Sequence, residues 1–377
     1  MTPEQIAAEF PLDPELAYLN HAAVAPWPRR TAEAVQAFAE ENITRGAADY
    51  KHWMAHEQQL REQLQDFINA PSVDDIALVK NTSEALSMVA SGLDWRFGDN
   101  VVSSNEEFPS NRIAWEAQKR YGVEFREVNL HVDDPEAALI AACDENTRVM
   151  TISSVQYGTG LKLDLTRLGH FCRENNILYC VDAIQSLGSQ PMDVQAIDAD
   201  FVMADAHKWL LGPEGIAVFY TSAKRRYELK LQEYGWHMIQ QMGDYSRREW
   251  RPAASGRRFE CGSTNVLGAY AFSASLSLLH EIGMDEIQRM VLANSEYTMQ
   301  TLEQIDGLTL ITPREDERRA GIVTCRLEGR DHTELHQQLM ARQVICAPRG
   351  GGIRFSPHFY TPRERIDTAV STLAELL

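Results

Sequence analysis

Between Ile76 and Tyr220 the chain alternates short apolar, β-branched runs with segments of helical period, and this alternation confines it to an α/β fold. The runs at Ile76–Val79, Asn100–Ser104, Arg148–Ser154, Ile177–Asp182, Asp200–Ala204 and Ile216–Tyr220 read as buried strands. Helical patterns lie between them, at Ser83–Ala90 and at Leu165–Asn175. Strands separated by helices call for a mostly parallel sheet. Outside this stretch, residues 31–69 read as helical, and the charged segment after Tyr220 reads as helical too.

Two of the strand ends carry chemistry. Lys208 lies on the loop between the fifth and sixth runs, followed by a Gly212-Pro213-Glu214-Gly215 turn. Lysines are almost never fully buried unless paired, so alone it reads as a solvated strand-end residue. Asp182, however, closes the preceding strand, and the carboxyl ends of strands are where open α/β sheets bind ligands. A desolvated amine has a lowered pKa and can act as a neutral nucleophile toward a carbonyl. Pyridoxal 5′-phosphate (PLP) needs such an amine for its aldehyde and an acid for its ring nitrogen. Lys208 and Asp182 match those two requirements.

The sequences Asp182-Ala183-Ile184-Gln185 and His207-Lys208-Trp209-Leu210-Leu211-Gly212-Pro213-Glu214-Gly215 resemble the signature of the class V aminotransferase family. The resemblance runs from about residue 18 to residue 361. That family includes cysteine desulfurases, selenocysteine lyases, isopenicillin N epimerase-like enzymes and kynureninases. The resemblance implies a PLP-dependent transferase fold of type I: a mostly parallel seven-stranded sheet flanked by helices, with a smaller α+β C-terminal domain. On that pattern residues 15–265 form the large PLP-binding domain, and residues 1–14 and 266–377 the small one.

It also implies a set of site residues. Lys208 would carry the Schiff base (aldimine) and move the α-proton, Asp182 would hold the ring nitrogen, and Gln185 and His207 would bond to the cofactor. Thr82 and Ser83, at the start of a helix, are placed to bind the phosphate, although both residue types are also strongly preferred as plain N-caps. Phe108 stands where relatives stack a ring on the pyridine. Arg354, in Arg354-Phe355-Ser356, matches the arginine that holds a substrate carboxylate by two parallel hydrogen bonds, with Arg349 assisting. His21 and either Ser154 or Gln156 fall in segments that approach substrate and cofactor, with Gln156 taken as the substrate contact. Thr264, in Gly262-Ser263-Thr264, would reach the phosphate site of a second subunit and make the protein a homodimer. Asp205 departs from the pattern, because desulfurases carry a serine there and an aspartate repels a phosphate at close range.

Composition narrows the classes further. With 36 basic against 54 acidic residues the net charge is −18, which argues against nucleic acid as a partner. No apolar run approaches the ~20 residues that cross a bilayer, and no secretory pattern opens the chain, so no membrane is expected and a cytoplasmic location is. The six cysteines show no C-x-x-C pair or zinc spacing. The histidine pairs His52/His56 and His332/His336 lack the H-E-x-x-H arrangement, and no metal is expected. Glycine loops for ATP, for a dinucleotide or for an esterase elbow are absent.

The persulfide-forming cysteine of desulfurases follows an arginine and precedes the carboxylate-binding one. Here Cys346 comes before Arg349, and the segment from Arg349 to Gly352 is too short for such a loop. These features point to a PLP enzyme working at the α-carbon of a small amino acid, a cysteine desulfurase-like C–S lyase or an aminotransferase. The alternatives are an amino-acid epimerase and a non-catalytic binding protein on the same fold.

Overall fold

In the computed structural model, which describes residues 1–377, the apolar runs assemble into one sheet. Its strands are β1 (Ile76–Val79), β2 (Asn100–Ser104), β3 (Glu124–Val128), β4 (Thr147–Ser153), β5 (Leu178–Asp182), β6 (Phe201–Asp205) and β7 (Ala217–Thr221). Their order is β1-β7-β6-β5-β4-β2-β3. The pairs among β2 to β6 are parallel, and β7 runs antiparallel to both β6 and β1. The expected mostly parallel, seven-stranded sheet is thus what forms. Strand β3 is the one the apolar pattern does not reveal, since it is a half-exposed edge reading Glu-Phe-Arg-Glu-Val.

The reversal at β7 follows from the length of the connection. Parallel neighbours need a crossover of a dozen or more residues, whereas a short loop returns the chain antiparallel. The β6–β7 loop contains Lys208, so the lysine is held at the same carboxyl edge of the sheet where Asp182 ends β5.

Both faces of the sheet are covered. On β6, Val202 and Ala204 belong to a 48-residue apolar cluster, while Phe201 and Met203 belong to a 19-residue cluster on the other side. Alternation along a strand sends neighbours to opposite faces, and each large side chain buried in this way contributes roughly 1.5–3 kcal/mol.

The helical stretch expected over residues 31–69 forms as two helices, α1 (Arg29–Arg45) and α2 (Tyr50–Phe67). Gly46, with φ of 54°, ends the first, and the Asp49 side chain caps the second. Helix α3 (Thr82–Gly92) begins one residue after its cap, which is Asn81 rather than either hydroxyl residue. The charged stretch after Tyr220 forms only two short 3₁₀ turns, Arg226–Glu228 and Gly256–Phe259, because Gly235, Gly243 and Pro252 interrupt any helical run. Helix α4 (Val266–Ile282) then packs Ala269, Phe272 and Leu276 into the larger cluster.

A second, antiparallel sheet follows. It consists of β8 (Leu308–Leu310), β9 (Val323–Leu327), β10 (Ala347–Arg349) and β11 (Gly352–Phe355), in the order β10-β11-β9-β8. Gly350 and Gly351 close the β10–β11 hairpin with φ of +61° and +75°, the two positive values that a type I′ turn requires. Residues Ala17–Tyr18 pair in parallel with Val344–Ile345, which ties the N-terminal segment to this part of the chain.

The hairpin tip rests on the loop after β4. A Cβ at Gly350 would lie 2.4 Å from the Gly158 carbonyl oxygen. Gly350→Ala is therefore expected to lose about 1–3 kcal/mol of stability from the left-handed backbone alone, and more from the contact. Urea unfolding should show the loss, with Gly262→Ala, which meets nothing within 4 Å, near wild type.

Candidate active site

The loop carrying Lys208 is fixed through the backbone on either side of it. The His207 carbonyl accepts the Ala25 N–H at 2.8 Å, and the Trp209 carbonyl lies 3.1 Å from His358 Nε2. His358 Nδ1 accepts the Phe359 N–H at 2.8 Å, so the proton resides on Nε2, which donates to Trp209. The Trp209 indole, fully buried, donates to Gln185 Oε1 at 3.0 Å, and Gln185 Nε2 donates to the Ala22 carbonyl at 3.0 Å. Leu211 turns the chain with φ of 60°, a conformation rare outside glycine, and its N–H closes on the Lys208 carbonyl at 3.0 Å.

The charged groups around this loop are desolvated and incompletely paired. Burial lowers the Lys208 pKa from the ordinary lysine range, Asp182 opposes that shift, and the nearby Arg354 charge adds to it. The amine lies 5.6 Å from the centroid of the Phe108 ring. Asp182 is 2% exposed and accepts one hydrogen bond, from the Ile184 N–H at 3.0 Å. Burial raises its pKa well above the carboxylate range, and the charge of Glu107 adds to the effect. A buried acid with one donor and no salt bridge lacks a cation.

Arg354 lacks an anion. It is 2% exposed, Nη1 donates to the Tyr157 carbonyl at 2.8 Å, and buried Nε has no partner. Burial first, and then the Arg349 charge, pulls its pKa down to about 10. An isolated buried guanidinium is costly, and a carboxylate that meets it in two-point geometry relieves the cost.

A third group of residues gathers at the start of α3. Asp205, at the end of β6, accepts the Thr82 N–H at 2.8 Å through Oδ1. It therefore faces the expected phosphate loop. Asn81 takes the Glu84 N–H at 2.8 Å. Thr82 Oγ1 is buried without a partner, and Ser83 Oγ is 2.7 Å from Ser110 Oγ. His207 Nδ1 lies 3.7 Å from Asp205 Oδ2. Burial, then the Lys208 charge, holds the His207 pKa down to about 4, so the ring is neutral at pH 7.

Other residues singled out from the sequence fall in different surroundings. His21 is fully buried with both ring nitrogens engaged, Nδ1 at 2.7 Å from the Ser356 carbonyl and Nε2 at 2.8 Å from the Tyr360 hydroxyl. Neither nitrogen is left for a substrate. Gln156 donates to Glu107 at 3.0 Å, and its buried Oε1 has no partner. Ser154 is paired to Ser186 at 2.7 Å. Arg349 is exposed at the hairpin end. Thr264 donates its hydroxyl proton to Glu57 in its own chain at 2.8 Å, and its neighbour Ser263 is the exposed hydroxyl.

Two buried clusters were not identified from sequence. Glu107, beside Phe108, accepts from Asn111, from the Ser153 N–H and from Gln156 at 2.9, 2.9 and 3.0 Å. It stands at the end of a strand run, like Asp182, and that position was its available signal. Glu57, His237 and Glu260 meet in the interior with metal-ligand spacing, but Arg61 bridges the two carboxylates at 2.7 and 2.5 Å and supplies the cation. Three sequence-distant segments build this cluster, and no local pattern announces it.

The site residues fit PLP on three counts: an amine with a depressed pKa, a buried acid awaiting a cation, and an unpartnered buried hydroxyl at a helix start. Lys208 would hold its aldehyde, Asp182 its ring nitrogen, and Thr82 and Ser83 its phosphate. Asp205 is the residue that fits least simply.

The aminotransferase class-V family model matches residues 17–367. The chain is 31% identical to a protein of Methanothermobacter thermautotrophicus described as a probable cysteine desulfurase, an alignment covering 100% of this chain and 98% of the relative. Its fold matches that of a C-DES mutant with glycine covalently linked to the PLP cofactor, with a TM-score of 0.90 at 23% identity over 100% and 99% of the two chains. It also matches the cystine C–S lyase C-DES in complex with its product cysteine persulfide, with a TM-score of 0.89 at 25% identity over 96% and 97%.

The Lys208 amine is expected to titrate below the usual ~10.4 of lysine. Because the Asp182 charge opposes this depression, Asp182→Asn should lower the Lys208 pKa further. Rates of amine-selective labelling at Lys208 against pH, read by peptide mass spectrometry, would show the shift. An unchanged midpoint would mean that the two groups do not interact.

Proposed function

The chain belongs to the aminotransferase class-V family, and from that premise we propose that it cleaves a C–S bond of a small sulfur amino acid without an enzyme thiol. It is a PLP-dependent enzyme. When bound, PLP supplies an aldehyde that condenses with amines and a ring that withdraws electrons from the α-carbon.

The side chains divide the remaining work. Arg354 holds the substrate carboxylate, because it is the buried cation without an anion. Its charge acts on the Lys208 amine, so a carboxylate anchored there would lie on the lysine's side of the site. The depressed pKa leaves Lys208 a neutral fraction large enough to accept the α-proton near neutral pH. Asp182 keeps the ring nitrogen charged by supplying the anion for it. Phe108, 41% exposed and with its ring centroid 5.6 Å from the Lys208 amine, is the aromatic ring placed to stack on the cofactor. As the α-proton passes to Lys208, the β-sulfur leaves with the electron pair of its bond to carbon. The remaining carbon skeleton and nitrogen, with one water, would leave as a keto acid and ammonia.

The observation that carries this reading is the β10–β11 hairpin. Where a desulfurase thiol loop would stand, two glycines close a type I′ turn between Arg349 and Gly352. The nearby Cys346 is 2% exposed, and burial pushes its thiol up to about 12, so it is neither accessible nor ionised. C-DES, described as a cystine C–S lyase, supports the same assignment. All six cysteines are unpaired, in keeping with a reducing, cytoplasmic setting. No helix is long and apolar enough to cross a membrane.

The test is product analysis on PLP-loaded protein given L-cysteine or L-cystine. Pyruvate, ammonia and released sulfur are expected, with Cys346→Ala within about twofold of wild type, since Cys346 packs rather than reacts. Alanine as the main product would instead indicate sulfur transfer to a protein thiol. A keto acid that keeps the sulfur, formed as the cofactor takes up the amine, would indicate transamination. Arg354→Gln should raise KM at least tenfold, corresponding to the loss of about 1.5–3 kcal/mol from charged hydrogen bonds.

A further inference from the structure

We propose that Asp205 is a phosphate-binding residue that works through a proton, so that the cofactor's phosphate is held less tightly as the pH rises. This rests on the reading of the chain as a PLP enzyme. The geometry begins at the start of α3. Asp205 Oδ1 takes the Thr82 N–H at 2.8 Å, and Asn81 takes that of Glu84. Among the N–H groups of the first turn that have no intrahelical acceptor, the one on Ser83 remains. The Thr82 hydroxyl, in a residue 4% exposed, has no partner of its own. These donors form a cup for an oxyanion, and the Asp205 carboxylate is built into its wall.

Asp205 Oδ2 is the oxygen without a donor, since His207 Nδ1 stands 3.7 Å away, beyond hydrogen-bond range. The charged neighbours do not compensate for a second anion. Asp205 is faced by Lys208 on its own loop, by Glu214 ahead of β7 and by Asp182 on β5. His207 is neutral. Lys208 is the one cation of this group, and it is committed to the aldehyde.

A phosphate entering the cup therefore meets a carboxylate at close range. One proton from solvent on Oδ2 removes that repulsion and turns an acceptor into a donor to a phosphate oxygen. Burial has already raised the Asp205 pKa to about 6, and a second anion raises it further by like-charge repulsion. Linkage then fixes the sign: binding takes up one proton, so affinity falls by up to tenfold per pH unit above the pKa of the free acid.

The experiment measures Kd for PLP and for pyridoxal, by equilibrium dialysis, from pH ~6.5 to ~8.5, above the second phosphate ionisation near 6. Pyridoxal shares the aldehyde and ring but lacks the phosphate, so the ratio of the two constants isolates the cup from the titration of Lys208 and Asp182. In wild type the advantage of PLP over pyridoxal should shrink nearly tenfold per pH unit. In Asp205→Asn, which donates without titrating, and in Asp205→Ser, it should stay flat. Equal slopes in wild type and both variants would overturn the proposal, as would PLP binding no more tightly than pyridoxal at any pH. Failure of wild type to bind either ligand would overturn the PLP reading itself and this proposal with it.

Discussion

The position of Lys208 depends on its neighbour. Trp209 is fully buried, and three parts of the chain converge on it: Gln185 from the turn after β5, His358 from the segment after β11, and Gly321 beneath its ring. The Gly321 position shows how closely the ring is packed, since a Cβ there would lie 2.2 Å from the indole. Close packing of this kind makes a site precise because no side chain has room to relax. The amine inherits its position from apolar contacts and two carbonyl hydrogen bonds, leaving its own electrostatics available for chemistry.

Those electrostatics follow from where the strands end. Asp182 and Asp205 close β5 and β6, and Glu107 follows β2, so the carboxyl edge of the sheet gathers three acids in a dry region. Lys208 and Arg354 are the buried or half-buried cations near them. None of these five groups forms a close ion pair with another. A structural salt-bridge network would satisfy its members internally, as Arg61 does for Glu57 and Glu260. Here the unmet charges are instead directed toward something that binds.

How much of this was legible in the sequence depended on locality. Lys208 and Asp182 were legible because strand, terminal residue and turn are contiguous. The mostly parallel sheet was legible because its strands are uniformly apolar, and edge strand β3 was hidden because it is not. The cap of α3 was not singled out, since Asn81, Thr82 and Ser83 are all good caps and only geometry chooses Asn81 among them. His21 looked like a substrate contact because a loop histidine carries no mark of its partners. Ser356 and Tyr360, far along the chain, satisfy both of its nitrogens. The helix expected after Tyr220 failed because charge and helical composition do not outweigh repeated glycines. The cluster of Glu57, Arg61, His237 and Glu260 was invisible for the same reason as the His21 partners: tertiary contact alone brings the residues together.

The glycine turn between β10 and β11 also bears on how such a site diversifies. Its strands are paired up to Arg349 and Gly352, so register is set before the turn begins. Chain inserted there would have to keep the contact of Gly350 with Gly158, but the strands carrying the two arginines are paired outside the turn, and each doubling of loop length costs only about 0.6 kcal/mol in closure entropy. A handful of residues gained or lost at this position can therefore add or remove a reactive group above the Arg354 and Lys208 charges, with no refolding of the scaffold. The turn is also the natural place to graft a peptide loop when redesigning the chemistry above the site.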